Sequence, residues 1–424
     1  MSARQIAVAA VQLRAHDRAA FTERWPEIRA RIAAAAEDRA GLVVVPEGTV
    51  PAYVIGEEPV NPQLLEGALH DLIQISARTG AVIVIGGGRF ADERLFNSGL
   101  VVTERGVIGS ADKCFLWHFD ERWFARGSTL EPVDTPLGRL GVFVCADGRI
   151  PTIASTLVDR GAEILVMPTA WVTSGRDPAA LENIQADLMI AVRARENGVP
   201  VVAANKSGTE ARSVLYCGKS TIAAADGTIV ARGSQDGEEI VRASVAIGPA
   251  LVRRDAVPPA VTRGAQGAPL PPRARIAIAA LHDPTLEPMA RYSDAALTLD
   301  PHVDASALSH EVAIVEDEAM VDPRALVAPR LGGVRLVVWH ASLRSDWTLA
   351  FARTRAAELR CYVVAIDAPG RRAFAVDPDG VVLCGTSGDF ALAQFAFDGA
   401  RTESWLVAPR TDVRAALEAV EALR

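Results

Sequence analysis

Lysine is nearly missing from this chain of 424 residues. Of 44 basic residues only Lys113, Lys206 and Lys219 are lysines, and arginine supplies the rest. The abundant alanine points to a GC-rich coding bias, so a position that keeps lysine against that bias marks a site where lysine itself is wanted. Long apolar runs are missing as well. No uncharged stretch reaches the ~18–20 residues a spanning helix needs, so no membrane association is expected. The N-terminal MSARQIAVAAVQLRAHD has only a short apolar stretch and no A-x-A pattern, which argues against a secretory signal. Cysteine is sparse: Cys114, Cys145, Cys217, Cys361 and Cys384 are scattered, odd in number and form no C-x-x-C pair. That excludes a disulfide framework and a zinc ribbon and fits a reducing cytoplasm, the expected location. There is no basic stripe with interleaved aromatics, and the net charge is −8, so nucleic acid is not an expected partner.

What is present describes a folded chain. Half of the residues are apolar, 23% are charged and the mean hydropathy is +0.17, which excludes a largely disordered protein. The length predicts two or three domains at roughly 100–200 residues each. Through the first 250 residues strands and helices alternate. AVAAVQL (7–13), GLVVVPE (41–47), AVIVIGGG (81–88) and FNSGLVVT (96–103) read as buried strands. Phe21, Trp25, Ile28 and Ile32 recur at helical spacing, as do Leu65, Leu69, Leu72 and Ser76. LGVFVCAD (140–147) reads as a strand ending at a cysteine, followed by a helix from about Thr152 to Asp159. AEILVMPT (162–169), PVVAANKSG (200–208) and a hairpin turning at Asp226-Gly227 complete a large α/β domain over 1–250.

Residues 251–274 hold five prolines and little periodicity, the composition of a linker. The remainder, 275–424, repeats the first part in outline. RAAELRCYVVAID (355–367) lies ungapped on RARENGVPVVAAN (193–205) with six identities in 13. GGVRLVVWHAS (332–342) parallels GAEILVMPTAW (161–171), AFAVDPDGVVLCG (373–385) parallels TIAAADGTIVARG (221–233), and RIAIAAL at 275 parallels RQIAVAAV at 4. Four blocks in one order predict an internal duplication with a shortened second copy. Extending the alignment backwards sets Glu316, or with one gap Asp317, opposite Cys145, and the second part has no lysine.

Three residues of chemical interest fall at predicted strand ends in the first part: Glu47 closes VVVPE, Lys113 sits in SADKCFLWHFDERWFARG, and Cys145 closes GVFVC. In open α/β architectures reactive groups collect at strand C-terminal ends. In these blocks the chain resembles the nitrilase (carbon–nitrogen hydrolase) superfamily, whose catalytic set is Glu–Lys–Cys. PEGTVPAY matches the glutamate block, with Tyr53 six residues on. KCFLWHFDERWFARG matches the lysine block, including Leu116, Trp117, Phe124 and Gly127. CADGRIP matches the nucleophile block, and PTAW, RAREN and VVAAN follow in family order over residues 4 to about 250.

The resemblance implies a four-layer αββα sandwich, followed here by a truncated, catalytically silent copy of the same fold. It implies Glu47 as base, Lys113 and the Ala146 N–H as oxyanion partners, and Cys145 as nucleophile, with no metal or organic cofactor. A helix after Cys145 would favour the thiolate through its N-terminal end. Relatives often carry a second glutamate seven residues after the lysine; that position is Asp120 here, with Glu121 beside it. Tyr53, Trp117, Glu121, Ala146 and Trp171 are the expected substrate-binding residues. Nitrile-cleaving members typically follow the cysteine with tryptophan and glutamate, whereas this chain has Ala146 and Asp147. The implied substrate is therefore a small amide, with N-carbamoyl compounds, nitriles or acyl transfer as alternatives and a non-catalytic scaffold as a different class. Because family members pair as dimers, the second copy is expected to serve as a built-in pseudo-dimer partner.

Overall fold

The structure, a computed structural model, describes residues 4–173, 182–248, 256–280, 295–368, 370–386 and 392–423. The chain forms two compact units, one of residues 1–255 with 418–424 and one of residues 256–417. Most of the expected pocket loop at 171–180 and residues 251–255 of the expected linker lie outside the described residues.

The first unit runs β1 (Arg4–Arg14), α1 (Phe21–Glu37), β2 (Leu42–Val50), α2 (Pro62–Thr79), β3 (Val82–Ala91), β4 (Arg94–Thr103), β5 (Gly106–Asp112), β6 (Val133–Thr135), β7 (Gly138–Val142), α3 (Pro151–Asp159), β8 (Ile164–Pro168), α4 (Ile190–Asn197), β9 (Val201–Ala204), β10 (Lys206–Glu210), β11 (Val214–Cys217), β12 (Thr221–Ala223), β13 (Ile229–Arg232) and β14 (Glu239–Ile247). An eight-stranded sheet is ordered β11-β10-β1-β2-β3-β4-β5, with β14 also on β1, and a six-stranded sheet is ordered β13-β12-β9-β8-β7-β6.

Side-chain alternation builds the layers. Ala9, Val11 and Leu13 of β1 face α1 and α2, where Phe21, Ile28, Ile32, Leu65 and Leu72 are buried. Val8 and Ala10 of the same strand face the second sheet, meeting Val142, Val166 and Val202. Strands buried on both faces have to read as near-continuous apolar runs, as these do. Each valine or leucine so buried contributes about 1.5–3 kcal/mol. Helices α3 and α4 cover the outer face of the six-stranded sheet, giving the αββα sandwich. Among the described residues no helix is long and apolar enough to cross a membrane.

The segment 200–208 differs from the single strand its sequence suggests. It splits at Asn205 into β9, in the six-stranded sheet, and β10, in the eight-stranded one. Asn205 holds the crossing: its Oδ1 accepts from the Trp171 N–H at 2.7 Å and its Nδ2 donates to the Gly218 carbonyl at 2.6 Å.

The second unit runs β15 (Thr262–Arg263), β16 (Arg273–Ala279), β17 (Leu297–Leu299), β18 (Val312–Val315), α5 (Asp317–Val321), α6 (Val327–Leu331), β19 (Leu336–His340), α7 (Ser345–Leu359), β20 (Tyr362–Asp367), β21 (Arg372–Val376), β22 (Val382–Gly385) and β23 (Leu392–Asp398), ending in a small β-pair and a last helix. Its sheets are ordered β15-β18-β19-β20-β21-β22 and β17-β16-β23. The first repeats the pairing of β6-β7-β8-β9-β12-β13, with the same succession of antiparallel, two parallel and two antiparallel steps. The second repeats β2-β1-β14, parallel then antiparallel. The strand in the place of β6 is β15, drawn from the proline-rich stretch expected to be linker. Thr262 and Arg263 are paired there with Ile314 and Ala313.

One buried brace in the first unit shapes the loop that leaves β2. Lys206 Nζ donates to the Gly48 carbonyl at 2.9 Å and to Glu210 Oε2 at 3.0 Å. Glu210 Oε1 accepts from the Val54 N–H, and Tyr216 Oη donates to Oε2 at 2.9 Å. His16 Nε2 lies 2.8 Å from the Pro51 carbonyl. Gly48 adopts φ +57°, and a Cβ there would stand 2.5 Å from the Tyr53 backbone, so the fold-back admits only glycine.

Burial, then the Lys206 charge, lowers the His16 pKa from 6.5 to about 4, so the ring is neutral and its Nε2–H is the donor. The unfolded chain takes up a proton at this histidine below about pH 6.5, while the folded chain does so only near pH 4. Its contribution to stability is therefore complete above pH 6.5 and lost as pH falls towards 4. Melting temperatures of wild type should drop across that window. His16→Gln, which keeps a donor for Pro51, should remove that part of the drop, on the order of a few kcal/mol. Parallel pH profiles of the two proteins in calorimetry would refute this.

Candidate active site

Glu47 lies in β2 at the point where β3 passes closely. A Cβ on Gly86 would stand 2.3 Å from the Glu47 Cα, so glycine lets β3 approach. The Glu47 N–H donates to the Thr169 carbonyl at 3.2 Å, joining the first sheet to the strand end of β8 in the second. Lys113 follows β5. Its N–H donates to the Asn97 carbonyl at 2.8 Å and its carbonyl accepts from Gly127 at 2.9 Å.

These segments bring three charged side chains together in the interior. Lys113 Nζ is 2.7 Å from Glu47 Oε1 and 2.6 Å from Asp120 Oδ2, and all three side chains are 0% exposed. Asn97 Nδ2 donates to Glu47 Oε1 at 2.7 Å and the Trp117 N–H donates to Asp120 Oδ2 at 3.0 Å. Burial alone would lower the Lys113 pKa, but the charges of Asp120 and Glu47 outweigh it and hold the ammonium well above its ordinary value. The Tyr53 ring, buried, has its centroid 5.5 Å from Lys113 Nζ. Glu47 Oε2, Asp120 Oδ1 and Trp171 Nε1 are buried with no hydrogen-bond partner among the described residues.

Cys145 sits just past β7, which ends at Val142, three residues earlier than its sequence suggests. It takes a left-handed conformation, φ +48°, that is rare outside glycine. Burial raises its thiol pKa most, and the Glu47 charge adds to this. Lys113, the Thr169 hydroxyl and the Ala170 N–H oppose them without reversing the result. The resting group is the thiol. The helix expected from about Thr152 to Asp159 is present as α3, but it is not joined directly to the cysteine. A 3₁₀ turn spans Cys145–Arg149 and α3 begins only at Pro151.

The remaining expected residues divide. Asp120, not Glu121, meets Lys113. Glu121 is corrected to the surface, 43% exposed and 3.5 Å from Arg126, because the 3₁₀ turn Asp120–Arg122 turns neighbouring side chains apart. Trp117 is half-buried, with its ring centroid 5.6 Å from the Arg149 guanidinium. Ala146 is buried in the turn after Cys145, and Trp171 is 1% exposed. Cys114 and Cys217 are buried free thiols, the latter pushed up to about 12 by burial. Asn97, Thr169 and Asp147 were not singled out by sequence reasoning. Asp147 lay in plain view within CADGR, whereas Asn97 in FNSG carried no signal. Among the described residues no group of three or more His, Cys, Asp or Glu is placed to hold a metal ion.

Residues 7–250 match the family model described as carbon-nitrogen hydrolase. Over 212 residues the chain is 31% identical to a nitrilase of Pyrococcus abyssi, an alignment covering 49% of this chain and 77% of that protein. It is 30% identical over 152 residues to a probable nitrilase of Schizosaccharomyces pombe, covering 36% of this chain and spanning about half, 53%, of that relative's length. The crystal structure of a carbon-nitrogen hydrolase from Helicobacter pylori G27 superposes with a TM-score of 0.50 at 23% identity, covering 57% of this chain and 89% of that one. With the family model spanning more than half of the chain, this protein belongs to the carbon-nitrogen hydrolase family, within the nitrilase superfamily.

Proposed function

We propose that the first unit hydrolyses a small primary amide through a thioester on Cys145, releasing ammonia and a carboxylate. Glu47 accepts the thiol proton as Sγ attacks the carbonyl carbon. The new C–S bond leaves an oxyanion, which the Lys113 ammonium and the Ala146 N–H stabilise. Glu47 returns the proton to nitrogen, the C–N bond breaks and ammonia departs. Water, deprotonated by Glu47, then attacks the thioester and the C–S bond breaks to regenerate the thiol.

The observation that carries the reading is the pair of unpartnered acceptors, Glu47 Oε2 and Asp120 Oδ1, on the two carboxylates that flank Lys113. Buried acceptors favour a ligand that brings donors. A primary amide brings two N–H groups; a nitrile brings none. Tyr53 and Trp171 supply aromatic walls.

For the second unit we propose a silent copy that serves as a built-in partner. Arg193 Nε donates to the Gly148 carbonyl at 3.0 Å and Arg355 Nε to the Met320 carbonyl at 2.9 Å. That parallel supports reading Asp317, three residues before Met320, as the counterpart of Cys145. The Asp317 carboxylate accepts from Trp339 Nε1 at 2.9 Å, from the Ser342 N–H at 3.1 Å and from the Ser342 hydroxyl, so it is committed to structure.

Ammonia release assayed over a panel of short amides and the matching nitriles should show kcat/KM at least about 10²-fold higher for amides, the scale on which an unmet buried polar group discriminates. Turnover of nitriles with none of any amide would refute the reading. Cys145→Ala should reduce turnover to background, and Glu47→Gln should lower kcat by roughly 10³-fold, as expected for losing a general base. Undiminished turnover by Cys145→Ala would favour other chemistry. A fragment of residues 1–250 should aggregate; recovered as a soluble, fully active protein, it would show that no built-in partner is required.

A further inference from the structure

The proposed reaction needs Cys145 and Lys113 to address one carbonyl group, the sulfur its carbon and the ammonium its oxygen. The two residues come from different sheets. Lys113 follows β5 of the eight-stranded sheet and Cys145 follows β7 of the six-stranded sheet. One side chain reaches both segments. Asp147 Oδ1 accepts from the Cys114 N–H at 3.0 Å and the Phe115 N–H at 2.7 Å, the two residues directly after Lys113. Its Oδ2 accepts from the Val144 N–H at 2.9 Å, the residue directly before Cys145. The Asp147 N–H donates to the Val144 carbonyl at 3.0 Å, closing the turn in which Cys145 takes its left-handed conformation.

We propose that Asp147 is a positioning residue of this site, one carboxylate that fixes the nucleophile turn against the lysine segment. The inference rests on the proposed chemistry of Cys145 and Lys113. Two independent observations support it. The first is cost. Asp147 is 2% exposed, and burial raises its pKa from 3.8 to about 7 in spite of the three N–H donors and the Lys113 charge. A carboxylate kept where the interior disfavours it is kept for its geometry.

The second is the internal comparison. The second unit preserves the buried arginine–glutamate pair of the first, Arg193–Glu196 matched by Arg355–Glu358, and each arginine braces the turn after the nucleophile position. With Asp317 in the place of Cys145, the counterpart of Asp147 is Ala319, which is buried. The carboxylate is thus lost in the unit that has no lysine, while the fold's other brace is retained. A residue needed only to build this sandwich layer would have no reason to vanish with the chemistry.

The experiment compares full-length wild type with Asp147→Asn, which keeps the shape but sets an amide N–H₂ against a backbone N–H, and with Asp147→Ala. Three measurements are made: steady-state kinetics on the best amide of the panel, the rate of iodoacetamide alkylation at Cys145 read by peptide mass spectrometry, and melting temperature. The expected result is a kcat lower by about 10²-fold in both variants, the scale of an ångström misplacement, with KM within about threefold. Alkylation of Cys145 should slow at least about tenfold for the same reason, with the melting transition retained. Unchanged kcat and alkylation in a folded variant would overturn the proposal. So would two variants that fail to fold, which would make Asp147 a folding residue. A wild type that turns over no amide would sink the functional reading alone, because the alkylation rates test Asp147 without a substrate.

Discussion

The ammonium of Lys113, held in the interior between Glu47 and Asp120, is the constraint on which the site is built. A buried cation carries a desolvation penalty of several kcal/mol, and removing either partner leaves an uncompensated charge. Two carboxylates against one ammonium leave the cluster negative. Burial, with the Glu47 charge added, raises the Cys145 thiol above its ordinary pKa, and Lys113 opposes that rise without reversing it. Much of the surrounding fold serves to hold these charges at contact. Gly86 lets β3 close on Glu47, Asn97 shares the Glu47 oxygen with Lys113, and the loop leaving β2 is tied down at Gly48, Pro51 and Val54 by Lys206, His16 and Glu210.

The αββα layering was legible because its strands are buried on both faces and its helices are amphipathic. Both patterns survive in one dimension. The motifs singled out Glu47 and Lys113, which the structure brings within 2.7 Å of each other, and four aligned blocks foreshadowed the strand order of the second unit. Other features were hidden for physical reasons. Spacing alone could not separate Asp120 from Glu121, since a single turn of 3₁₀ helix decides which carboxylate points inwards. The crossing at Asn205 leaves an unbroken apolar pattern, because both strands it joins are buried. The role of Asp147 depends on three backbone N–H groups, and backbone donors look alike at every position of a sequence. The strand at Thr262 and Arg263 escaped because two edge residues in a proline-rich stretch carry no periodicity.

The larger sheet of the second unit has the same pairing order as the six-stranded sheet of the first. That unit has a six-stranded sheet, a three-stranded sheet and a buried Arg355–Glu358 pair. It contains no lysine. Asp317 of the second unit accepts hydrogen bonds from Trp339 and Ser342.

The three lysines of the chain all lie in the first unit, and all are buried in ion pairs. Lys113 meets Glu47 and Asp120, Lys206 meets Glu210, and Lys219 meets Asp187, with residue exposures of 0%, 1% and 8%. The folded surface consequently offers arginine but no accessible ε-amine. Amine-directed reagents such as succinimidyl esters, glutaraldehyde and reductive methylation would find essentially the chain's α-amino group alone. Their failure to cross-link or label this protein would say nothing about its assembly. A lysine-specific endoprotease would cut only where the first unit has opened, so the same scarcity turns each lysyl bond into a reporter of that unit's unfolding.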